Sequence, residues 1–133
     1  MKGETNLEKL LAMMSPELVD GEFVFCTIKD ASYGDHAATL PIASFLESEG
    51  LTLVLKKAVA ENAGLSFEAV FRCITLGVHS SLEAVGLTAE VASRLAEHGI
   101  AANVIAAYYH DHIFVQAALA ENAIGILSTY KNN

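Results

Sequence analysis

The chain has 133 residues, 53% of them hydrophobic and 18% charged, with a formal net charge of −8. Its eight Lys and Arg are scattered, with Lys56-Lys57 the only adjacent pair. Nucleic acid and anionic membrane are therefore excluded as expected partners, since both need a clustered basic face. A chain this long buries enough surface to fold without disulfide or metal, and its apolar surplus points to burial between subunits, so a homodimer is expected.

Leu7, Leu10, Leu11 and Met14 recur at helical spacing, which predicts a short amphipathic helix over 6–14 that Ser15-Pro16 stops. Glu22–Ile28 is rich in aromatic and β-branched residues and reads as a strand. Residues 29–41, with Tyr33, Asp35 and His36 at their middle, lack a period and form a long loop. Pro41–Ser48 and Leu51–Lys56 read as a hairpin turning at Glu49-Gly50. A helix over Lys57–Asn62 closes at Ala63-Gly64, and Phe67–Leu76 is expected to be one long strand.

Thr88 is expected to cap the next helix, with Leu87 as a staple, Leu87, Val91 and Leu95 as its buried stripe, and Gly99 ending it. Asn103–Tyr109 and Ile113–Gln116 read as strands joined through His110-Asp111-His112, with Tyr108 and Tyr109 on opposite faces. A last helix places Leu119, Ala123, Ile126, Leu127 and Tyr130 on one side. The order β-α-β-β-α from residue 69 onward is a ferredoxin-like unit short of its closing strand. The expected remedy is that two halves, 1–66 and 67–133, complete each other through the shared strand 67–76.

Three stretches carry a family likeness: EGLTLV at 49–54, HSSLEAVGLT at 79–88 and YYHDHIFV at 108–115. On these the chain, over about residues 18–130, resembles a bacterial family of tandem ACT-domain-like proteins. The resemblance implies an α+β fold: ferredoxin-like βαββαβ halves in tandem, antiparallel sheets with helices on one face. It also implies a non-catalytic regulatory protein that binds an amino acid or similar small effector. Mapped from the family, the ligand loop is Gly77, Val78, His79, Ser80, Ser81 and Leu82, faced by Asn103.

Ser80 and Ser81 offer hydroxyls and N–H groups suited to a carboxylate, and Asn103 offers a donor and an acceptor. Ser80 with Glu83 also fits a capping box, so the same groups can simply start a helix. The loop has no acidic residue before Glu83 to meet an ammonium group.

Two other readings stay open. One is a small metal-dependent or general-base enzyme using His79, His110, Asp111 and His112. The other is an adaptor module that works through a sheet edge without ligand. No nucleophile elbow, phosphate loop or dinucleotide fingerprint is present, so no catalytic residue, cofactor or resident metal is expected. Arg72, in an otherwise apolar strand, must reach the surface, pair with a carboxylate or hold a ligand's carboxylate. Cys26 and Cys73 read as reduced core thiols. With no membrane-length apolar run or signal-peptide core, the protein is expected to be soluble and cytoplasmic.

Overall fold

A computed structural model describes residues 6–79 and 85–132. The chain forms two compact units: Gly21–Phe71, here the insert unit, and a flanking unit made of residues 1–20 and 72–133. This division differs from the linear halves expected from sequence, because the first helix and first strand join the later part of the chain.

In the insert unit, strand β2 (Phe23–Ile28) pairs antiparallel with β4 (Gly50–Lys56) along its whole length, from Phe23↔Lys56 to Ile28↔Leu51. Strand β3 (Ala43–Glu47) lies on the far side of β4, from Ala43↔Val54 to Glu47↔Gly50. Helix α2 (Lys57–Asn62) follows β4 directly, and Gly64 at φ 72° lets the chain leave it. Alternation sorts Val24 and Cys26 with Leu51, Leu53 and Leu55 into one core beside Ala60.

No α-helix forms between β2 and β3. That stretch has only a short 3-10 turn at Ala37–Thr39, bracketed by His36 at φ 64° and Leu40 at φ 51°. A branched side chain in the left-handed region is uncommon, and here it reverses the chain toward β3. The expected long strand over 67–76 is shorter, Phe71–Leu76 (β5). Its first residue pairs with Phe23 in the insert unit, and the rest belongs to the flanking unit.

In the flanking unit, β5 neighbours β7 (Asp111–Gln116), which pairs antiparallel with β6 (Asn103–Ala106). The closing strand does not come from the insert unit. It is β1 (Pro16–Leu18), antiparallel to β5 as Pro16↔Leu76, Glu17↔Thr75 and Leu18↔Ile74. Gly77 makes this approach feasible: its N–H donates to the Ser15 carbonyl at 3.0 Å, and a Cβ there would lie 2.9 Å from the same oxygen.

Helix α1 (Leu7–Met13), capped by the Asn6 carboxamide oxygen accepting from Lys9 N–H at 3.0 Å, sends Leu10 and Met14 into the flanking core. Helix α3 (Leu87–Glu97) adds Leu87, Val91 and Leu95, and α4 (Ala120–Leu127) adds Ala120, Ala123 and Leu127. The start of α3 is two residues earlier than expected: Gly86, at φ 100°, takes the cap position in place of Thr88, and Leu87 is inside the helix. Its end is as expected. Gly99 at φ 74° closes a Schellman motif in which Ile100 N–H donates to the Leu95 carbonyl at 3.0 Å.

The two units repeat a pattern. Ala60-Glu61-Asn62-Ala63 recurs as Ala120-Glu121-Asn122-Ala123, and the inward set Leu51, Leu53, Leu55 recurs as Asp111, Ile113, Val115. Asp111, 6% exposed, thus stands where the other unit has a fully buried leucine. No helix among the described residues is long and apolar enough to cross a membrane.

Candidate ligand site

The stretch without a helix borders an open concavity. Residues 33–44 and β4 border an open cleft of about 580 Å³ whose exposed lining includes Tyr33, Leu40 and Ile42, while Leu51 and Leu53 at its base are buried in the core. The stretch is held by its own hydrogen bonds. Ser32 N–H donates to the Asp35 carboxylate at 2.8 Å, Asp35 N–H to the Ser32 carbonyl at 2.9 Å, and the Thr39 hydroxyl to the His36 carbonyl at 2.7 Å. Tyr33, Leu40 and Ile42 line the cleft yet stay 76%, 82% and 52% exposed. An apolar lining at Tyr33, Leu40 and Ile42, with Asp35 and Ser44 beside it and no Lys or Arg, suits a small molecule bearing a positive group.

The loop expected from sequence is less complete. Ser80, Ser81 and Leu82 lie outside the described residues, as does the Ser80–Glu83 capping box. Val78 is 6% exposed and packs in the flanking core, so its side chain is not free to line a site. Asn103 donates its amide to the Phe114 carbonyl at 3.2 Å, across the hairpin from its registered partner. The His79 ring sits 5.4 Å from that of Tyr109. Among the described residues, no hydrogen bond or ring contact joins His79 to Asn103.

The histidine segment is also rearranged. The hairpin turns at residues 107–110, where Ala107 N–H donates to the His110 carbonyl at 3.0 Å, so Asp111 and His112 lie in β7 rather than in the turn. Tyr108 and Tyr109 consequently sit on the turn, both more than half exposed, and not on opposite faces of a strand. The rings of His110 and His112 are 6.5 Å apart, and His112 Nδ1 lies 2.9 Å from the Thr75 hydroxyl. Burial holds the His112 pKa below its usual value, with His110 adding to the effect and Asp111 opposing it. Among the described residues, no group of three His, Cys, Asp or Glu is arranged to hold a metal ion.

Arg72 neither pairs with a described carboxylate nor reaches fully into solvent. Its Nη2 donates to the Val19 carbonyl at 3.2 Å, and its Nε is buried without a partner among the described residues. Cys26 and Cys73 are buried and unbridged, and burial pushes both thiols up, away from reactive thiolate.

The cleft residues carry little sequence signal. The one available was the length and missing period of 29–41, with Tyr33, Asp35 and His36 at its middle.

In each unit an α-helix follows an inner strand of antiparallel sheet, the layout of a ferredoxin-like α+β module. The ACT domain model matches residues 2–72 and a second ACT domain model matches 68–129. The chain belongs to the ACT-domain family and has its ferredoxin-like α+β fold.

It is similar to a Vibrio cholerae protein of unknown function, described as a possible transport protein. The two are 56% identical over 94% of this chain and 95% of that one, with a TM-score of 0.86. An Agrobacterium tumefaciens protein shares the fold at 14% identity, 89% of each chain and a TM-score of 0.71. So does the regulatory subunit of Thermus thermophilus aspartate kinase, at 12% identity, 90% of this chain, 98% of that one and a TM-score of 0.60. Among curated proteins none matches.

Proposed function

We propose that the protein is a non-catalytic regulatory module that binds a small, amino-acid-like effector in the cleft bordered by residues 33–44. The observation that carries this reading is the cleft itself, with its exposed apolar lining at Tyr33, Leu40 and Ile42 and its carboxylate at Asp35. Asp35 supplies the acidic group that the 77–82 loop lacks before Glu83. ACT-family membership and the naming of the Thermus relative as a regulatory subunit support an effector-binding role. Binding acts by favouring one arrangement of residues 33–44 over others and so altering an encounter with a protein partner.

A second position is the family-implied loop, Val78, His79, Ser80, Ser81 and Leu82 with Asn103. It is favoured by the exposed Tyr108 and Tyr109 rings beside His79. A thermal-shift screen with amino acids and small amines tests the function. A ligand at about 100 times its Kd stabilises by about 2.7 kcal/mol. Ser44→Arg is expected to abolish the shift and His79→Ala to leave it. The opposite pattern moves the site to the 77–82 loop, and no shift at millimolar ligand removes the reading.

A further inference from the structure

Among the described residues, the non-glycine positions with positive φ all fall in one short stretch of the insert unit: Asp30 at 62°, His36 at 64° and Leu40 at 51°. Such backbone is costly for a residue with a Cβ, and it gathers where a chain is held in shape around a ligand. Here it shapes the border of the cleft of about 580 Å³, a volume suited to a small molecule.

Charge then narrows what that molecule can be. The lining has one acid, Asp35, and no Lys or Arg. Asp35 Oδ2 accepts from the Ser32 N–H at 2.8 Å, which fixes the carboxylate. Among the described residues, no Lys, Arg or His forms an ion pair with it. The backbone offers little to an anion along this border. The N–H groups of Asp35, Leu40 and Ile42 are already donated to the Ser32, Ala37 and Val54 carbonyls, and Pro41 has none.

An α-amino acid carries its ammonium and its carboxylate on one carbon. When the ammonium meets Asp35, the carboxylate is drawn within a few ångström of a like charge, with no cation in the lining to receive it. A net charge of −8 adds to that penalty and favours a cation. Removing or masking the ligand's carboxylate removes the repulsion and keeps the rest. The tail still has the apolar lining of Tyr33, Leu40 and Ile42, and Ser44 carries a hydroxyl that can accept from the ammonium. We infer, granting that the cleft is the binding position, that its ligand is a primary amine with an apolar tail and no free carboxylate: the decarboxylated or carboxyl-masked counterpart of an apolar amino acid.

Isothermal titration of the full chain at neutral pH tests this with compounds that differ by one group. Phenethylamine is expected to bind at least about 5-fold tighter than phenylalanine, which adds the carboxylate, and than phenethyl alcohol, which lacks the charge. Leucine methyl ester is expected to exceed leucine by a similar factor. Asp35→Asn keeps an oxygen for the Ser32 N–H while removing the charge, and should narrow all three gaps. Ser44→Arg should abolish amine binding.

Leucine binding as tightly as its ester, with both lost in Ser44→Arg, overturns the inference and leaves the cleft as the site. Phenethyl alcohol matching the amine does the same, as do gaps unchanged in Asp35→Asn. Amine binding that survives Ser44→Arg puts the ligand elsewhere and overturns the cleft reading too, and so does a wild type that binds none of these compounds. The ester comparison uses the wild-type chain alone, so it decides the question of charge even if neither variant folds.

Discussion

Replacing Tyr130 by Phe removes one oxygen and nothing else, which makes it a clean probe of how the segment after α4 is fastened to α3. The Tyr130 hydroxyl donates to Glu90 Oε2 at 2.6 Å, linking the end of the chain to the first turn of α3, and the residue is 6% exposed. The ring also lies under the Arg94 guanidinium, 5.3 Å from carbon to centroid, and Phe keeps that contact.

A hydrogen bond to a charged acceptor contributes about 1.5–3 kcal/mol, and Glu90 is only half-buried, so water can partly replace the phenol. The lower end, about 1.5 kcal/mol, is therefore expected, or a fall in Tm of about 6 °C.

The pH dependence is a stricter check. Burial first, then the hydrogen bond and charge of Glu90, raise the Tyr130 pKa from 10.0 to about 12. Folding thus favours the protonated phenol. That contribution is fully present below pH 10 and is lost as pH rises from there toward 12. Two units amount to at most about 2.7 kcal/mol. Urea denaturation of wild type and Tyr130→Phe across this range measures it. The gap between them should be constant below about pH 9.5 and close above it. A variant within about 0.3 kcal/mol of wild type at neutral pH, or a gap that stays flat into alkali, would refute the reasoning.

Gly77→Ala is expected to cost about 1–3 kcal/mol in chemical denaturation, because its Cβ would meet the Ser15 backbone carbonyl, which cannot rotate away. Gly125→Ala, with nothing within 4 Å of the added carbon, should instead stabilise α4 by about 0.5–1 kcal/mol. His112 has a folded pKa below its unfolded value, so the unfolded chain takes up the proton first. Stability is lost as pH falls through about 6.5, and His112→Gln should flatten that acid limb between about pH 7.5 and 5.5. Equal acid sensitivity in both proteins would count against the buried, neutral imidazole.

Much of the fold is written in local patterns. Leu87, Val91 and Leu95 recur at helical spacing and bury one side of α3. Gly99 followed by Ile100 ends that helix because only a residue at ease with positive φ lets the next amide reach back to Leu95. Alternation in Leu51–Lys56 marks β4, and the absence of period in 29–41 marks the stretch that borders the cleft. These features depend on residues a few positions apart, and so they are readable without knowing the rest of the chain.

Other features depend on distant partners. Pro16–Leu18 has too few residues to show a period, and only its pairing with Ile74–Leu76 makes it a strand. Asp111 reads as a turn residue by propensity. It lies inside β7 because Ile113 and Val115 must face the core, and alternation carries residue 111 inward with them. Val78 looked like part of a binding loop and is core for the same kind of reason.

By itself, then, the amino-acid order determined the four α-helices, the approximate place of the longer strands, and the likeness to two ACT-type units. Tertiary structure decided which strand closes which sheet, where the hairpin turns and which loop opens into a cleft. The physical reason is range: helix caps and apolar periods are short-range and additive, whereas strand pairing, burial parity and concavity depend on what the remainder of the chain brings alongside.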